Sequence, residues 1–287
     1  MSDFPDIKPD VKPNVSIAEA LRGAPLDALE NRILIGHALQ LTRIQLITQS
    51  ERQLTADEAA QLNALFRRRL QGEPIAYIVG EREFFGLAMQ VTPDVLIPRP
   101  DTELLVELAL ERLPQYGKAL DMGTGSGAIA VAIAYTRPDV SMTALDVSEG
   151  ALKAAAGNAQ RHGAKVTFLR SDWYAALGKV DQPYLDLIVS NPPYIVAGDA
   201  HLSQGDLRFE PVGALTDHAD GLSALRIIID GAAAYLKPDG WLLMEHGYDQ
   251  SEAVRALLTQ RGFSDVQSWR DLAGIERVSG GKLVAAS

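Results

Sequence analysis

The sequence contains no cysteine, which excludes both a disulfide framework and a metal site built on thiolates. No stretch approaches about 18 uninterrupted apolar residues, so we expect no transmembrane helix and no membrane partner. The N-terminus is polar, acidic and proline-bearing, unlike a secretory signal or a transit peptide. We therefore expect a cytoplasmic protein whose residues 1–15 form a short disordered tail.

Positive charge is also scarce. The chain carries 27 Lys and Arg against 37 Asp and Glu, a formal net charge of −10. Proteins that bind duplex nucleic acid normally carry a basic surface that neutralises phosphates. This balance argues against direct binding of nucleic acid. The 5 histidines show no ligand spacing, so we expect no metal site.

Residues 16–76 have the pattern of a small helical domain. Ser16–Glu19 and Thr55–Glu58 both match the capping box that opens a helix, and each precedes an apolar-periodic segment. From residue 77 to residue 97 the pattern becomes β-rich and is interrupted by glycine and proline. We expect a β-hairpin there that links two domains.

Residues 98–287 alternate between strand and helix patterns. Asp101 or Thr102 is expected to cap the helix that opens this region. The alternation predicts an α/β fold with a doubly wound, mostly parallel sheet. The expected strands are 119–122, 142–146, 166–169, 185–190 and 241–245, with two more near 263–268 and 282–285.

A glycine-rich loop follows the first of these strands and opens a helix. Its candidate cofactor-binding residues are Asp121, Gly123, Thr124, Gly125, Ser126 and Gly127. The spacing suits either a dinucleotide or S-adenosylmethionine, whereas the absence of a following Gly-Lys-Ser/Thr excludes a P-loop. Asp146, at the end of the next strand, is placed to accept both hydroxyls of a ribose.

Three further acidic or aromatic positions bear on the choice of cofactor. Asp121 favours S-adenosylmethionine, because an ammonium and a sulfonium suit an acidic site better than a pyrophosphate does. Asp172 and Trp173 follow the third strand and fit an adenine edge and ring. The alternative for Trp173 is a place in the hydrophobic core.

The candidate catalytic residues are Asn191, Pro192, Pro193 and Tyr194, which end a buried strand at the carboxyl edge of the sheet. Prolines have no N–H, so this turn offers acceptors. An amide nitrogen is a poor nucleophile because its lone pair is delocalised. If the Asn191 side-chain oxygen and the Pro192 carbonyl accept its two hydrogens, they stabilise the positive charge that develops during methylation. Tyr194 would stack on the planar target group.

Beyond these local features, the chain resembles the peptide chain release factor N5-glutamine methyltransferases, the HemK/PrmC family. The resemblance covers nearly everything after residue 16. It is carried by Gly72–Gly80, Leu96–Glu103, Asp121–Gly127, Ser190–Ile195, Asp220–Leu222, Glu245–Gly247 and Asp271–Arg277.

This resemblance implies a class I S-adenosylmethionine-dependent methyltransferase with a seven-stranded sheet, a small N-terminal helical substrate-recognition domain and a hairpin linker. It also implies an activity, the methylation of the glutamine of the Gly-Gly-Gln motif in class I release factors, and we expect a monomer. In this family Gly123–Gly127, Asp146 and Trp173 would hold the cofactor. Asn191–Tyr194 would hold the glutamine amide.

Two departures and three alternatives accompany the resemblance. The family has no counterpart to the tail before Ser16, and Thr216–Ala219 replaces a usual glycine-rich turn, so the shape of that loop is undefined by sequence.

Methylation of a ribosomal protein glutamine is an alternative function that uses the same chemistry. Adenine-N6 methylation of DNA would need a flipped base and a basic surface. A module that binds cofactor and scaffolds a translation factor, without catalysis, is the third alternative.

Overall fold

The computed structural model describes residues 9–203 and 205–284, and the chain divides into two compact units after Gly80. Each unit has its own hydrophobic core. Among the described helices, none has the length and apolar character needed to cross a bilayer.

The first unit consists of helices. They are α1 Ile17–Gly23, α2 Ala28–Leu39, α3 Arg43–Thr48, α4 Ala56–Leu70 and α5 Ile75–Val79. Both predicted capping boxes are confirmed, since Ser16 caps α1 and Thr55 caps α4 with the reciprocal bonds from Glu19 and Glu58. Their apolar faces meet in one core, in which Leu62 and Phe66 of α4 are fully buried.

Two expectations about the ends of this unit need correction. Residues 1–8 of the expected tail lie outside the described residues, but Val11 is held by both polar atoms of the Asn63 side chain at 2.9 Å. Val15 accepts a backbone bond from Leu54 at 2.9 Å, so this part of the tail is ordered. Tyr77, expected at the start of the β-rich segment, lies in α5, because Pro74 and Gly80 bracket one short helix.

The second unit begins with the hairpin β1 Glu81–Phe84 and β2 Leu87–Gln90. Its sheet contains β3 Lys118–Met122, β4 Ser141–Asp146, β5 Val166–Arg170, β6 Leu185–Ser190, β7 Leu236–Glu245, β8 Phe263–Arg270 and β9 Glu276–Leu283. Its helices are α6 Glu103–Arg112, α7 Ala128–Thr136, α8 Glu149–His162, α9 Val212–Leu215, α10 Ser223–Ala232 and α11 Ser251–Gln260.

The seven strands of the large sheet run in the order β5-β4-β3-β6-β7-β9-β8. All are parallel except β9, which is antiparallel to both of its neighbours. The predicted doubly wound α/β fold with seven strands is confirmed. The last strand was misplaced, since β9 begins at Glu276 and not near residue 282. Its central Gly280 lies where a Cβ would approach the Leu242 carbonyl to 2.4 Å, so the strand needs a glycine at a position where glycine weakens the sequence signal of a strand.

Helices cover both faces of this sheet. On one face α6, α7 and α8 pack on β3, β4 and β6, and on the other face α10 and α11 pack on β6 and β7. Because both faces are closed, the polar loops at the carboxyl ends of the strands are left to form a site.

Candidate functional site

The loops after β3, β4, β5 and β6 line a cavity of about 310 Å³ in the second unit. Nine of the predicted site residues line it, namely Gly123, Thr124, Gly125, Ser126, Asp146, Asp172, Trp173, Asn191 and Pro193. Four do not, and these are Asp121, Gly127, Pro192 and Tyr194. The parallel strand order therefore brings most of the predicted site together.

The loop after β3 is fastened to the end of β4. The backbone N–H groups of Gly123 and Thr124 both donate to the carbonyl of Leu145 at 2.9 Å. The N–H of Gly125 donates to Oδ2 of Asp146, also at 2.9 Å. Gly127 closes the loop with φ +80°, where a Cβ would lie 2.9 Å from that of Ala155, so only glycine fits between the loop and α8.

The carboxylate of Asp146 is fixed by backbone donors on both oxygens. Its Oδ1 accepts the N–H of Ser148 at 2.9 Å, while Oδ2 accepts that of Gly125. Each carboxylate oxygen has two lone pairs, so one acceptor position on each remains for a ligand hydroxyl. Since Asp146 also lines the cavity, it can accept two adjacent hydroxyls.

Asp121 lies behind the loop and is completely buried. Its Oδ2 accepts the hydroxyl of Thr124 at 2.7 Å, whereas Oδ1 has no hydrogen-bond partner among the described residues. Burial raises the pKa of Asp121 to about 7. The hydrogen bond from Thr124 opposes this rise, whereas the charge of Asp146 contributes to it. A cation in the cavity would stabilise the charged form.

The segment after β5 supplies the next wall of the cavity. Ser171 donates its backbone N–H to the Asp146 carbonyl at 2.9 Å, and its hydroxyl donates to the carbonyl of Trp173 at 2.6 Å. Trp173 adopts φ +46°, packs against the core between the sheet and α10, and also lines the cavity. Trp173 therefore packs against the hydrophobic core and also lines the cavity.

The tetrapeptide after β6 is held at both ends by side chains. Asn191 Nδ2 donates to the Thr102 hydroxyl at 3.3 Å, and the Tyr194 hydroxyl donates to Oε1 of Glu245, also at 3.3 Å. The carbonyl of Tyr194 accepts from Gln250 at 3.0 Å, whereas no described donor reaches the carbonyl of Pro192. The Asn191 side-chain oxygen likewise has no donor among the described residues, and of these two acceptors only the Asn191 oxygen belongs to a residue that lines the cavity.

Thr102 and Glu245 are site residues that sequence reasoning missed in this role. Thr102 was expected as a helix cap, and it does stand at the N-cap position of α6, but neither it nor Asp101 makes a side-chain capping bond. Glu245 is buried at the end of β7, where burial raises its pKa to about 7. The sequence signal for Glu245 is a carboxylate at the end of an otherwise apolar, buried strand segment.

Arg99 and Glu210 form an ion pair beside the cavity. Arg99 lines the cavity, and its guanidinium donates to Oε1 of Glu210, whose side chain is 0% exposed. Glu210 also accepts the backbone N–H of Ile97 at 3.2 Å. Burial raises the pKa of Glu210 and Arg99 opposes the rise. The pair joins the segment before α6 to the segment before α9.

The loop whose shape the sequence left undefined is organised around Asp217. Its carboxylate accepts the backbone N–H groups of Ala219, Gly221 and Ser223 at 2.8 to 3.0 Å, together with the Ser223 hydroxyl at 2.7 Å. An aspartate that collects three backbone donors stabilises a tight turn in place of a glycine-rich one.

Two family models match the chain. The PrmC N-terminal domain matches residues 16–80, and the methyltransferase small domain matches residues 100–206. The first match ends at the division between the two units. The second begins before α6 and covers all four loops that line the cavity.

Relatives with known names are similar over nearly the full length. The release factor glutamine methyltransferase of Burkholderia pseudomallei is 55% identical over 276 residues, which are 93% of this chain and 95% of that protein. The protein of the same name from Bordetella pertussis is 54% identical over 93% of this chain and 99% of its own length. A solved methyltransferase from Pyrococcus furiosus shares the fold, with TM-score 0.53 and 21% identity over 76% of this chain and 98% of that one.

Proposed function

Because the chain belongs to the release factor glutamine methyltransferase family, we propose that it methylates the side-chain amide nitrogen of the glutamine in the Gly-Gly-Gln motif of class I peptide chain release factors. The methyl donor is S-adenosylmethionine. One observation carries the proposal: the cavity lined by the glycine-rich loop and Asp146 is also lined by Asn191, whose side-chain oxygen has no donor among the described residues.

The residues around the cavity fit this cofactor. Beside Gly125 the space is open, since a Cβ there would meet nothing within 4 Å, and Asp146 offers acceptors for two ribose hydroxyls. Oδ1 of Asp121 has no hydrogen-bond partner in the described part of the chain, which favours a positive charge nearby. We assign Asp172 and Trp173 to the adenine. Bound S-adenosylmethionine supplies a methyl group on a positively charged sulfur.

The chain's own task is to make a conjugated nitrogen reactive. We assign the Asn191 side-chain oxygen and the Pro192 carbonyl to the two N–H hydrogens of the glutamine amide. Accepting both hydrogens draws electron density onto the nitrogen and stabilises the positive charge that develops on it. When the nitrogen takes the methyl group, the sulfur would keep the electrons of the broken bond as a neutral thioether, and the methylated nitrogen, which is then acidic, would lose one proton to water. By comparison with oxyanion-hole donors, each contact contributes about 3 kcal/mol in the transition state.

Pro193 and Tyr194 complete the amide site in this proposal. The two prolines fix φ at adjacent positions, so the acceptors keep one geometry. Tyr194 is assigned to the planar face of the glutamine amide, with its hydroxyl anchored on Glu245. We further propose a cytoplasmic monomer that meets the release factor without contacting nucleic acid, in keeping with the net charge of −10.

The test is methyl transfer from labelled S-adenosylmethionine to a class I release factor, a ribosomal protein and duplex DNA, offered in separate reactions. We expect label in the release factor only, and none in a release factor whose Gly-Gly-Gln glutamine is replaced by alanine. Asn191→Ala should lower the rate by about 100-fold or more. Label confined to DNA or to the ribosomal protein, or full activity in Asn191→Ala, contradicts the proposal.

A further inference from the structure

The side chain of Gln250 joins three loops at the carboxyl edge of the sheet. Gln250 stands at the N-cap position of α11, yet its side chain makes no capping bond. Instead its Nε2 donates to the carbonyls of Tyr194 at 3.0 Å and Gly221 at 3.2 Å, and its Oε1 accepts the backbone N–H of Gly247 at 2.8 Å. One amide therefore connects the tetrapeptide to the loop before α10 and to the loop after β7.

The orientation of this amide follows from its three partners. A carbonyl oxygen only accepts hydrogen bonds, and a backbone N–H only donates. Rotating the Gln250 amide by half a turn would place its oxygen against two carbonyl oxygens and its NH₂ group against the N–H of Gly247. All three bonds would be lost, so a single orientation satisfies the site.

Two glycines leave room for this side chain. A Cβ at position 221 would lie 2.7 Å from Nε2 of Gln250 and 2.6 Å from the carbonyl oxygen of Tyr194. A Cβ at position 247 would lie 3.0 Å from Oε1 of Gln250. The segments Asp220–Leu222 and Glu245–Gly247 therefore supply both the space and the backbone partners that Gln250 requires.

The peptide group between Tyr194 and Ile195 is held on both of its sides. Its carbonyl accepts from Gln250, while its N–H donates at 3.0 Å to the last carbonyl of α9. Before the tetrapeptide, the Ser190 hydroxyl donates to the carbonyl of Met122 at 2.7 Å and fixes the end of β6. Both ends of the turn are thus anchored by residues outside it.

The carbonyl of Pro192 lies between these two anchors. No donor among the described residues reaches it, and the two prolines of the turn fix φ but leave ψ free. The direction of this carbonyl therefore depends on where the chain enters the turn, at the end of β6, and where it leaves, at Tyr194. Holding the Tyr194 carbonyl restricts the geometry of an acceptor two residues earlier.

We propose that Gln250 is a positioning residue, which holds the end of the tetrapeptide so that Asn191 and the Pro192 carbonyl present their oxygens to the substrate amide in one geometry. This rests on the proposed function of the tetrapeptide. Gln250 does not line the cavity, so its effect on a ligand there is transmitted through the backbone. Its loss should slow methyl transfer and leave binding intact.

Substitutions at Gln250 separate hydrogen bonding from packing. Gln250→Met keeps the length of the side chain and removes its donors and its acceptor. We expect kcat for methylation of the release factor to fall by about 10- to 100-fold, as a misplacement of the acceptors by about 1 Å would cause. The KM for the release factor and the Kd for S-adenosylmethionine should change by less than about threefold.

Gln250→Glu provides a second route to the same defect. It keeps an acceptor for the N–H of Gly247 but directs an anionic oxygen at the carbonyls of Tyr194 and Gly221. Its kcat should be at least as low as that of Gln250→Met. Gln260→Met, at the exposed last residue of α11 and outside the cavity lining, is the matched control and should retain wild-type kcat.

Folding is checked separately for every variant. Unfolding in urea measures stability, and calorimetry with S-adenosylmethionine measures the fraction of protein that binds the cofactor. A general loss of structure lowers that fraction. A positioning defect lowers the kcat of protein that still binds cofactor.

Hydrogen exchange shows where the defect lies. In Gln250→Met the backbone amides of residues 195–197 and 219–223 should exchange about two- to tenfold faster than in the wild type, because a bond that restrains both segments is lost. The amides of residues 123–127, which Gln250 does not contact, should exchange at the wild-type rate.

Wild-type kcat in Gln250→Met overturns the positioning proposal. A loss that appears only in the KM for the release factor or in cofactor affinity does so as well, and so does unchanged exchange of residues 195–197. None of these outcomes affects the proposed function, which fails only if the wild-type protein leaves the release factor glutamine unmethylated.

Discussion

Oδ2 of Asp146 accepts the backbone N–H of Gly125 at 2.9 Å, which ties the end of β4 to the middle of the loop after β3. The two residues are 21 positions apart in sequence, and the strands that lead to them, β3 and β4, are neighbours in the sheet. One carboxylate thus fixes the loop and also offers acceptors to the cavity. The same hydrogen bond therefore stabilises the fold and positions the site.

Asp146→Asn should weaken the binding of S-adenosylmethionine by at least about tenfold. An amide has one acceptor oxygen, so it cannot accept from both Gly125 and Ser148 and still receive two hydroxyls. Titration calorimetry with the cofactor measures the change. Asp181→Asn, at an exposed position outside the cavity lining, is the control and should bind as the wild type does. Unchanged affinity in Asp146→Asn contradicts this assignment.

Gly127→Ala should destabilise the second unit more than Gly163→Ala does. Both glycines have positive φ, +80° and +67°, so both substitutions carry backbone strain of about 1 kcal/mol. Only at position 127 does the new Cβ also come within 2.9 Å of Ala155. We expect an additional loss of about 1–3 kcal/mol, measured as the free energy of unfolding in urea. Equal losses in the two variants would mean that the loop and α8 separate without penalty.

Asp121 should make the stability of the cofactor-free protein fall as pH rises. Burial raises the pKa of this carboxyl from 3.8 to about 7, so the folded protein binds the proton more tightly than the unfolded chain. Below both pKa values the carboxyl is protonated in the folded and unfolded states, so it costs no stability. The loss of stability grows as pH rises from 3.8 to about 7. The variant Asp121→Asn lacks this titration.

Unfolding free energies of the wild type and Asp121→Asn, compared from about pH 5 to about pH 8, test this expectation. The variant should gain relative to the wild type by up to about 1.4 kcal/mol per pH unit until pH 7, after which the difference is constant. Parallel curves across the range would show that Asp121 titrates normally in the folded protein.

Arg99→Ala should destabilise the second unit by about 3–5 kcal/mol, because it leaves the carboxylate of Glu210 buried without its cation. Adding Glu210→Gln removes the stranded charge and should recover much of this loss. Unfolding free energies of the two single variants and the double variant measure the coupling. Arg226→Ala breaks the exposed pair with Asp220 and should lose less than about 1 kcal/mol. Similar losses for Arg99→Ala and Arg226→Ala would contradict the expectation.

Much of the site was predictable from the sequence because its residues directly follow the carboxyl ends of strands. The alternation of strands and helices predicts a parallel sheet, and a parallel sheet places Gly125, Asp146, Asp172 and Asn191 at one edge. The two capping boxes were predictable for a similar reason, since the residues that make them are three positions apart. Local spacing and sheet topology suffice for such features.

The remainder depends on contacts that no local pattern encodes. Thr102 meets Asn191 across 89 residues, and its position at the start of a helix suggests only a cap. The strand β9 pairs with β7 at Gly280, and glycine is depleted in strands. Glycine is needed there because a larger side chain would collide with the backbone of β7. The order of residues 11–15 likewise depends on Asn63, far along the chain.

The loop between β3 and α7 is fastened by three backbone donors, from Gly123, Thr124 and Gly125, all to the end of β4. Its conformational entropy is therefore lost when the domain folds and not when a ligand arrives. A nucleoside entering the cavity meets a wall that is already rigid. The affinity of this site then reflects the contacts that the ligand makes, with little subtracted for ordering the protein around it.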